Sequence, residues 1–366
     1  MQKKILIVPD KFKGSLSSIE VGQAIAAGLK LKNDCLIEIN PIADGGDGTL
    51  EVFRSLLPYH AVSVPSLNPR RVPITANYLR LDETAIIEMA VSSGIALLNN
   101  QLSPMLSDAY GTGLLVKHAI ENGASEIIIG LGGSCSTEGG TSILEGMGYK
   151  FYDKKKNRLK MNGEHMIHVH DFIAPKFNLK TNFTLLTDVN NTMYGPQGAA
   201  YIYGPQKGAS LEQVEKLDNG LRHISKVILD KTGVDVSSLR GAGAAGGAGG
   251  GLSGILEAEI HNGFDYIKKV SNLEEKIKES DVVITGEGQL DVQSLQGKVV
   301  GQLAALTTQH QKPLFCIVGN NMLDDSEIAS ANIVEVHSLM DHAMDLADAI
   351  ENASTYITDC ARMIEL

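Results

Sequence analysis

Tryptophan is absent from the 366-residue chain, and phenylalanine and tyrosine supply only 8 and 10 residues. Cysteine is nearly as rare. Cys35, Cys135, Cys316 and Cys360 are scattered with no C-x-x-C pair, which argues against a zinc site or a disulfide frame and for a reduced intracellular protein. Positive charge is short as well: 32 Lys and Arg face 43 Asp and Glu, for a formal net charge of −11. The basic run "DKKKNRLK" (153–160) reads as solvated surface, so no nucleic-acid and no membrane partner is expected. No apolar run approaches the roughly 20 residues of a membrane helix. The apolar part of "MQKKILIVPD" is too short for a signal peptide, and a cytoplasmic location is the expectation.

What the chain does have is glycine, 38 residues of it, much of it clustered in loops that follow apolar runs. "KKILIVP" (3–9) reads as a strand buried on both faces. Ser17–Ser18–Ile19–Glu20 is a capping box opening a helix that should end near Lys32. "CLIEINPI" (35–42) and "GTLEVFRSLL" (48–57) continue as strand and helix, the rhythm of a parallel sheet. Between about 61 and 90 come three strand-like runs with no helix between them, with Asp82–Glu83 as a turn, which suggests an antiparallel insertion.

Further on, 108–122 and 211–233 read as helices and 126–130 and 183–189 as strands, while "GAGAAGGAGGG" (241–251) is too glycine-rich for a regular helix throughout. From 281 the α/β rhythm returns. "DVVITGEG" reads as a strand entering a glycine turn, "SLQGKVVGQLAAL" as a helix, "PLFCIVGNN" and "NIVEVHSL" as strands, and 342–365 as a closing helix. The chain is longer than one core usually supports. The expected class is α/β, with one domain discontinuous, 1–65 plus 276–366, and a mixed domain, 66–275, inserted into it.

Four acidic, glycine-bearing loops follow strands: "PDKFKGSLS" (9–17), "ADGGDGT" (43–49), "GLGGSCSTEGG" (130–140) and "TGEGQLD" (285–291). Open α/β sheets take ligands at such places, and glycine turns expose the backbone N–H groups that bind phosphate. Lys13, Lys207 and Lys298 would neutralise phosphate charge. Asp10, Asp44, Asp47, Asp188, Glu287 and Asp291 would hold Mg²⁺ or take a proton from an alcohol. That is equipment for phosphoryl transfer, which needs positioning and electrostatics more than covalent chemistry.

Several other motifs carry less. "GAGAAG" (241–246) matches the dinucleotide fingerprint in letters but has no clear strand before it, which weighs against a nucleotide-dependent oxidoreductase. "LQGKVV" lacks the first glycine and the Ser/Thr of a Walker A loop. His165, His168, His170 and Asp171 have the residue types of a metal site but read as a surface excursion. Cys135, with no evident partner base, reads as a small loop-filling residue.

In order and spacing these loops resemble the class I bacterial glycerate kinases over essentially the whole chain. The motifs that carry the resemblance are "DKFKGSLS" (10–17), "ADGGDGT" (43–49), "EMAVSSG" (88–94), "YGTG" (110–113), "GLGGS" (130–134), "GPQKGA" (204–209), "GAGAAGG" (241–247) and "ITGEG" (284–288), followed by Asp291, Gln293 and Gly297–Lys298. There are three departures. Lys11 stands where serine is usual, Cys135–Ser136–Thr137–Glu138 replaces Ala-Thr-Asn-Asp, and Thr192 replaces a proline. The resemblance implies a Rossmann-like discontinuous domain and ATP-dependent phosphorylation of D-glycerate, with Mg²⁺, at the C2 hydroxyl.

The resemblance also suggests roles. Lys13, Ser15 and Asp44 belong to the substrate set. Gly132, Gly133, Ser134, Lys207, Gly243 and Gly246 would hold the nucleotide. Asp47 and Asp291 would meet Mg²⁺, and Lys298 would steady phosphate charge at the reacting centre. Asp188 is the first candidate for the base and Asp10 the second. For any one carboxylate, a capping or turn role stands beside the catalytic one. A non-catalytic metabolite or nucleotide sensor of the same build is the alternative, and monomer and homodimer both stay open.

Overall fold

The computed structural model describes residues 2–32, 34–176, 180–295 and 297–366. In chain order its strands are β1 (Lys3–Pro9), β2 (Cys35–Ile39), β3 (His60–Leu67), β4 (Pro73–Leu81), β5 (Thr84–Glu88), β6 (Glu126–Gly130) and β7 (Lys150–Tyr152). Then come β8 (Arg158–Leu159), β9 (Asp171–Ile173), β10 (Asn182–Thr187), β11 (Glu259–Asn262), β12 (Val282–Leu290), β13 (Leu314–Asn321) and β14 (Ile333–Ser338). The chain forms two compact units, one of residues 1–44, 51–57 and 264–366, the other of 45–50 and 58–263. The expected boundaries at 65 and 275 fall inside β3, which pairs with β4 along its whole length, and inside the helix Leu273–Glu279.

The first unit is built on a sheet of order β14-β13-β12-β1-β2, parallel throughout. Ile5, Leu6, Ile7 and Val8 of β1 are all buried, as a central strand covered on both faces requires. From β1 the chain crosses by the helix Ser18–Lys32 to β2 on one side. From β12 it steps to β13 and β14 on the other. The winding direction therefore reverses between β1 and β12, and such a switch point opens a crevice at the carboxyl ends of the strands. The expected capping box is formed: Ser17 N donates to Glu20 Oε2 at 2.8 Å and Glu20 N to Ser17 Oγ at 3.4 Å.

Three expectations for the C-terminal segment are corrected. "TGEG" is not a turn, because β12 runs straight through it to Leu290, paired with β13 as far as Asn321. Glycines on both strands allow this close passage: a Cβ at Gly319 would lie 2.3 Å from Gly288 O. The single helix expected over 294–306 is a short helix, Val292–Leu295, and a second, Val299–Gln309, separated around Gly297; Gln296 lies outside the described residues. The closing helix is also two, Leu346–Glu351 and Ala353–Met363.

The second unit carries a mixed sheet, β11-β10-β6-β5-β4-β3. β3, β4 and β5 form the expected antiparallel meander, and β5, β6, β10 and β11 run parallel. A small antiparallel sheet, β8-β7-β9, is added to it. The helix Leu211–Thr232 places Val214, Leu217, Leu221, Ile224 and Ile228 on one buried stripe, worth about 1.5–3 kcal/mol per side chain removed from water. It is capped by a Ser210–Gln213 capping box and ends at Gly233 in the left-handed region.

Candidate active site

In the first unit the first candidate loop starts where β1 stops. Asp10 N donates to Gly286 O at 2.8 Å, and Asp10 Oδ1 accepts from Lys11 N at 2.7 Å. Lys11, one of the departures, places Nζ 3.5 Å from Asp44 Oδ1, so a cation stands beside the Asp44 carboxylate. Phe12 and Leu16 close a tight turn through paired backbone bonds of 2.9 and 3.0 Å, which puts Lys13 at its exposed tip. Ser15 Oγ donates to Ile350 O at 2.8 Å, so this hydroxyl fixes the loop.

Glu287 of β12 completes this group, and sequence reasoning left it out of the ranked candidates. It is 8% exposed, and its Oε1 has no hydrogen-bond partner among the described residues. Burial pushes its carboxyl up to about 7; Ser294 and Lys298 pull it down, while Asp10 and Asp291 push it further up. Asp291 itself caps the short helix after it, accepting Ser294 N at 3.0 Å on Oδ1 and Gln289 Nε2 at 3.1 Å on Oδ2. Lys298 is exposed at the N-cap of the helix Val299–Gln309.

The second unit holds the glycine loop, 130–140, between β6 and the helix Thr141–Met147. Its backbone donors divide. Gly132 N bonds Gly45 O at 3.1 Å, Cys135 N bonds Ser93 O at 3.0 Å, and Gly139 N bonds Gly246 O at 3.0 Å. Gly133 is exposed, has φ of 72°, and its N–H meets no protein acceptor among the described residues. Asp47 lies directly against it, since a Cβ on Gly133 would fall 2.0 Å from Asp47 Oδ1. Lys207 is buried, donating to Ser134 Oγ at 3.0 Å and to Ser136 O at 2.7 Å, and desolvation lowers its pKa to about 8. The ammonium thus holds the loop's shape from beneath.

Beneath the loop, Glu138 is fully buried, accepting Ser136 Oγ at 3.0 Å and Ser142 Oγ at 2.9 Å on Oε1. Desolvation raises its pKa. Burial likewise pushes the Cys135 thiol up to about 12, so no thiolate nucleophile stands here. Arg71 ties Asp108 and Glu145 together at 2.6 Å each and lies 4.2 Å from the Tyr110 ring centre. Nothing local in the sequence signals that network, because its members are 37 and 74 residues apart.

The glycine-rich stretch 241–251 serves the same loop from the other side. The helix Ala244–Leu256 begins with left-handed backbone at Ala245–Gly247. A Cβ at Gly246 would meet Ser136 O at 2.1 Å, and one at Gly251 would meet Gly139 O at 1.8 Å. The two glycine-rich segments are therefore bare so that they can pack backbone to backbone. Gly243 N is used on Asn191 O at 2.9 Å. Asp188 is exposed just beyond β10. Of the surface histidine group, Asp171 Oδ1 accepts Lys231 Nζ at 2.6 Å. The ranked residues thus fall into two sets: Asp10, Lys13, Ser15, Asp44, Asp291 and Lys298 on the first unit, and Asp47, Asp188 with the six nucleotide candidates on the second.

The profile of the glycerate kinase family matches residues 5–365. The chain belongs to the glycerate kinase family. Among its relatives, the glycerate 2-kinase of Escherichia coli (strain K12) is 35% identical over 368 residues, covering 99% of this chain and 97% of that one. The glycerate kinase of Bacillus subtilis (strain 168) is 31% identical, covering 99% and 96%. The crystal structure of a protein assigned as glycerate kinase 2 from Salmonella typhimurium LT2 superposes with a TM-score of 0.83 at 31% identity, covering 99% of this chain and 97% of that one. The resemblance read from the glycine and acidic motifs is thereby established, as is the α/β class. As a member of the glycerate kinase family the protein is a kinase, with ATP as the phosphate donor the family implies.

Proposed function

We propose that this protein transfers the γ-phosphoryl group of Mg-ATP to the C2 hydroxyl of D-glycerate, giving 2-phosphoglycerate and ADP. The observation that carries the reading is the family match over residues 5–365. The relative named glycerate 2-kinase favours the C2 position. Glycerate is a small anion and the chain is net acidic, so its recognition falls to local cations. Lys13 at the tip of the first loop, with Lys11 close to it in sequence and Lys298 in the same unit, forms that acceptor set. Gly133, Ser134 and the loop held by Lys207 form the nucleotide set.

The Asp47–Gly133 contact supports a metal-bound nucleotide. A carboxylate lying against a phosphate-binding backbone repels phosphate unless a cation stands between them. Mg²⁺ fits: it is bound by one or two carboxylates plus phosphate oxygens and keeps several waters. Asp47 is the residue that would meet it. No group of three His, Cys, Asp or Glu side chains among the described residues is placed to hold an ion alone, so the ion is read as travelling with ATP. Its chemistry is to neutralise the β- and γ-phosphate charge.

The test is ADP release from Mg-ATP with D-glycerate, L-glycerate, glycerol or no acceptor, with the product identified by NMR. Release dependent on D-glycerate with 2-phosphoglycerate as product is expected. Nucleotide binding without acceptor-dependent release would overturn the reading in favour of a non-catalytic sensor, and 3-phosphoglycerate would overturn the C2 assignment.

A further inference from the structure

We infer that Glu287 is the group that takes the proton from the attacking hydroxyl of the acceptor, an assignment that rests on the kinase reading above and adds the identity of the base. Glu287 stands at the switch point of the first unit's sheet. Pro9, the last residue of β1, pairs with Gly286, so Asp10 and Glu287 come next on the two neighbouring strands. Beyond that pair β12 continues to Leu290 with β13 as its paired strand, and Ser294 Oγ donates to Gln289 O at 3.1 Å. The loop after β1 passes close by, with Lys13 N 3.7 Å from the Cβ position of Gly288. The lysine of the acceptor set and Glu287 thus share the carboxyl end of two adjacent central strands, where open α/β sheets bind their ligands.

The side chain itself carries the second observation. Glu287 is buried, yet Oε1 is left without a donor among the described residues. A buried carboxylate oxygen without a partner costs stability, and such groups mark chemistry rather than architecture. The groups facing it come from each neighbouring element: Asp10 from the end of β1, Asp291 and Ser294 from the segment after β12, Lys298 from the next helix, and the Cys316 thiol from β13. Burial first, then the two like charges, opposed by the Ser294 hydroxyl and the Lys298 cation, keep proton affinity near neutrality, the range in which a general base works best. The rival carboxylates are placed otherwise. Asp188 is exposed, and Asp10 Oδ1 already accepts the Lys11 N–H.

The step balances simply. The acceptor O–H bond breaks and its proton passes to the Glu287 carboxylate. The hydroxyl oxygen forms the new P–O bond to the γ-phosphorus, and the bond to the β-phosphate oxygen breaks with its electron pair leaving on ADP. Glu287 then returns the proton to water.

Turnover by the wild type is measured first, and its absence with D-glycerate overturns the kinase reading and this assignment together. Given turnover, Glu287→Gln is expected to lower kcat by about 100-fold or more, to leave KM for D-glycerate within about threefold, and to abolish the acidic limb of the kcat–pH profile. Glu287→Asp, folded by circular dichroism, is expected to keep part of kcat with the limb moved to lower pH. A Gln variant that retains kcat with the limb in place, or an Asp variant whose limb does not move, overturns the assignment while leaving the kinase reading intact.

Discussion

A buried acid weakens the fold that holds it once it must ionise, and at Glu287 the sign can be worked out. Its carboxyl is raised from 4.5 to about 7, so between those values the folded chain binds more protons than the unfolded one. The stability this contributes is complete below pH 4.5 and is lost as pH rises through 7. Glu287→Gln removes the dependence. The substituted protein should therefore match the wild type near pH 5 and exceed it above pH 7, by up to about 3 kcal/mol at 1.4 kcal/mol per pKa unit. Urea unfolding of both proteins at pH 5 and pH 8 checks this; equal gaps at the two pH values would mean that the carboxyl is not raised. Lys207 shows the opposite arrangement, a buried cation whose donors are spent on Ser134 and Ser136 rather than on solvent.

Among elements, the contact between the glycine loop and the helix Ala244–Leu256 decides most. The helix has no side chains on its Gly249–Gly251 run, and Gly251 meets the Gly139 carbonyl where a methyl group would overlap it. Gly251→Ala should cost about 2–3 kcal/mol or more through overpacking, since both neighbours are backbone and neither can rotate away. On the proposed nucleotide role of Gly133 and Ser134 it should also weaken ATP binding, because Gly139 belongs to the same loop, 130–140, between β6 and the helix Thr141–Met147. Urea midpoints and calorimetric ATP titration of the variant read the two effects. A variant with unchanged midpoint would show that the helix and the loop are not in register as described.

For the whole molecule, sequence order and spatial order part company. β1 lies between β2, which follows it closely, and β12, whose pairing joins Ile5 to Val282. Residues 2–57 alone therefore hold only two of the five strands of their sheet and cannot cover Ile5, Ile7 and Val8. That fragment should give a random-coil circular dichroism spectrum, whereas the full chain should show a folded α/β spectrum. A folded fragment would mean that β1 and β2 do not need β12. Buried clusters lie within the compact units: Ile7, Val21, Ile25 and Ile284 pack together in the first, and Ile127, Leu144, Leu185 and Leu221 in the second.

Local chemistry was readable without a structure. The strand 3–9, the Ser17–Glu20 capping box, the amphipathic helix ending at Gly233 and the antiparallel run between 61 and 90 all follow from spacing and capping rules that act over a few residues. The family was also legible, because its loops keep their order along the chain. Other features depend on what lies across the fold, and spacing cannot report that. "TGEG" looks like a turn until β13 brings Gly319 against Gly288 and makes it a strand. Spacing along the chain cannot tell that two glycine-rich stretches pack on each other, Gly246 on Ser136 and Gly251 on Gly139. Glu287 is one carboxylate among several in the sequence. Tertiary structure singles it out, because at the switch point where β1 pairs with β12 that side chain is buried and one of its oxygens has no donor among the described residues.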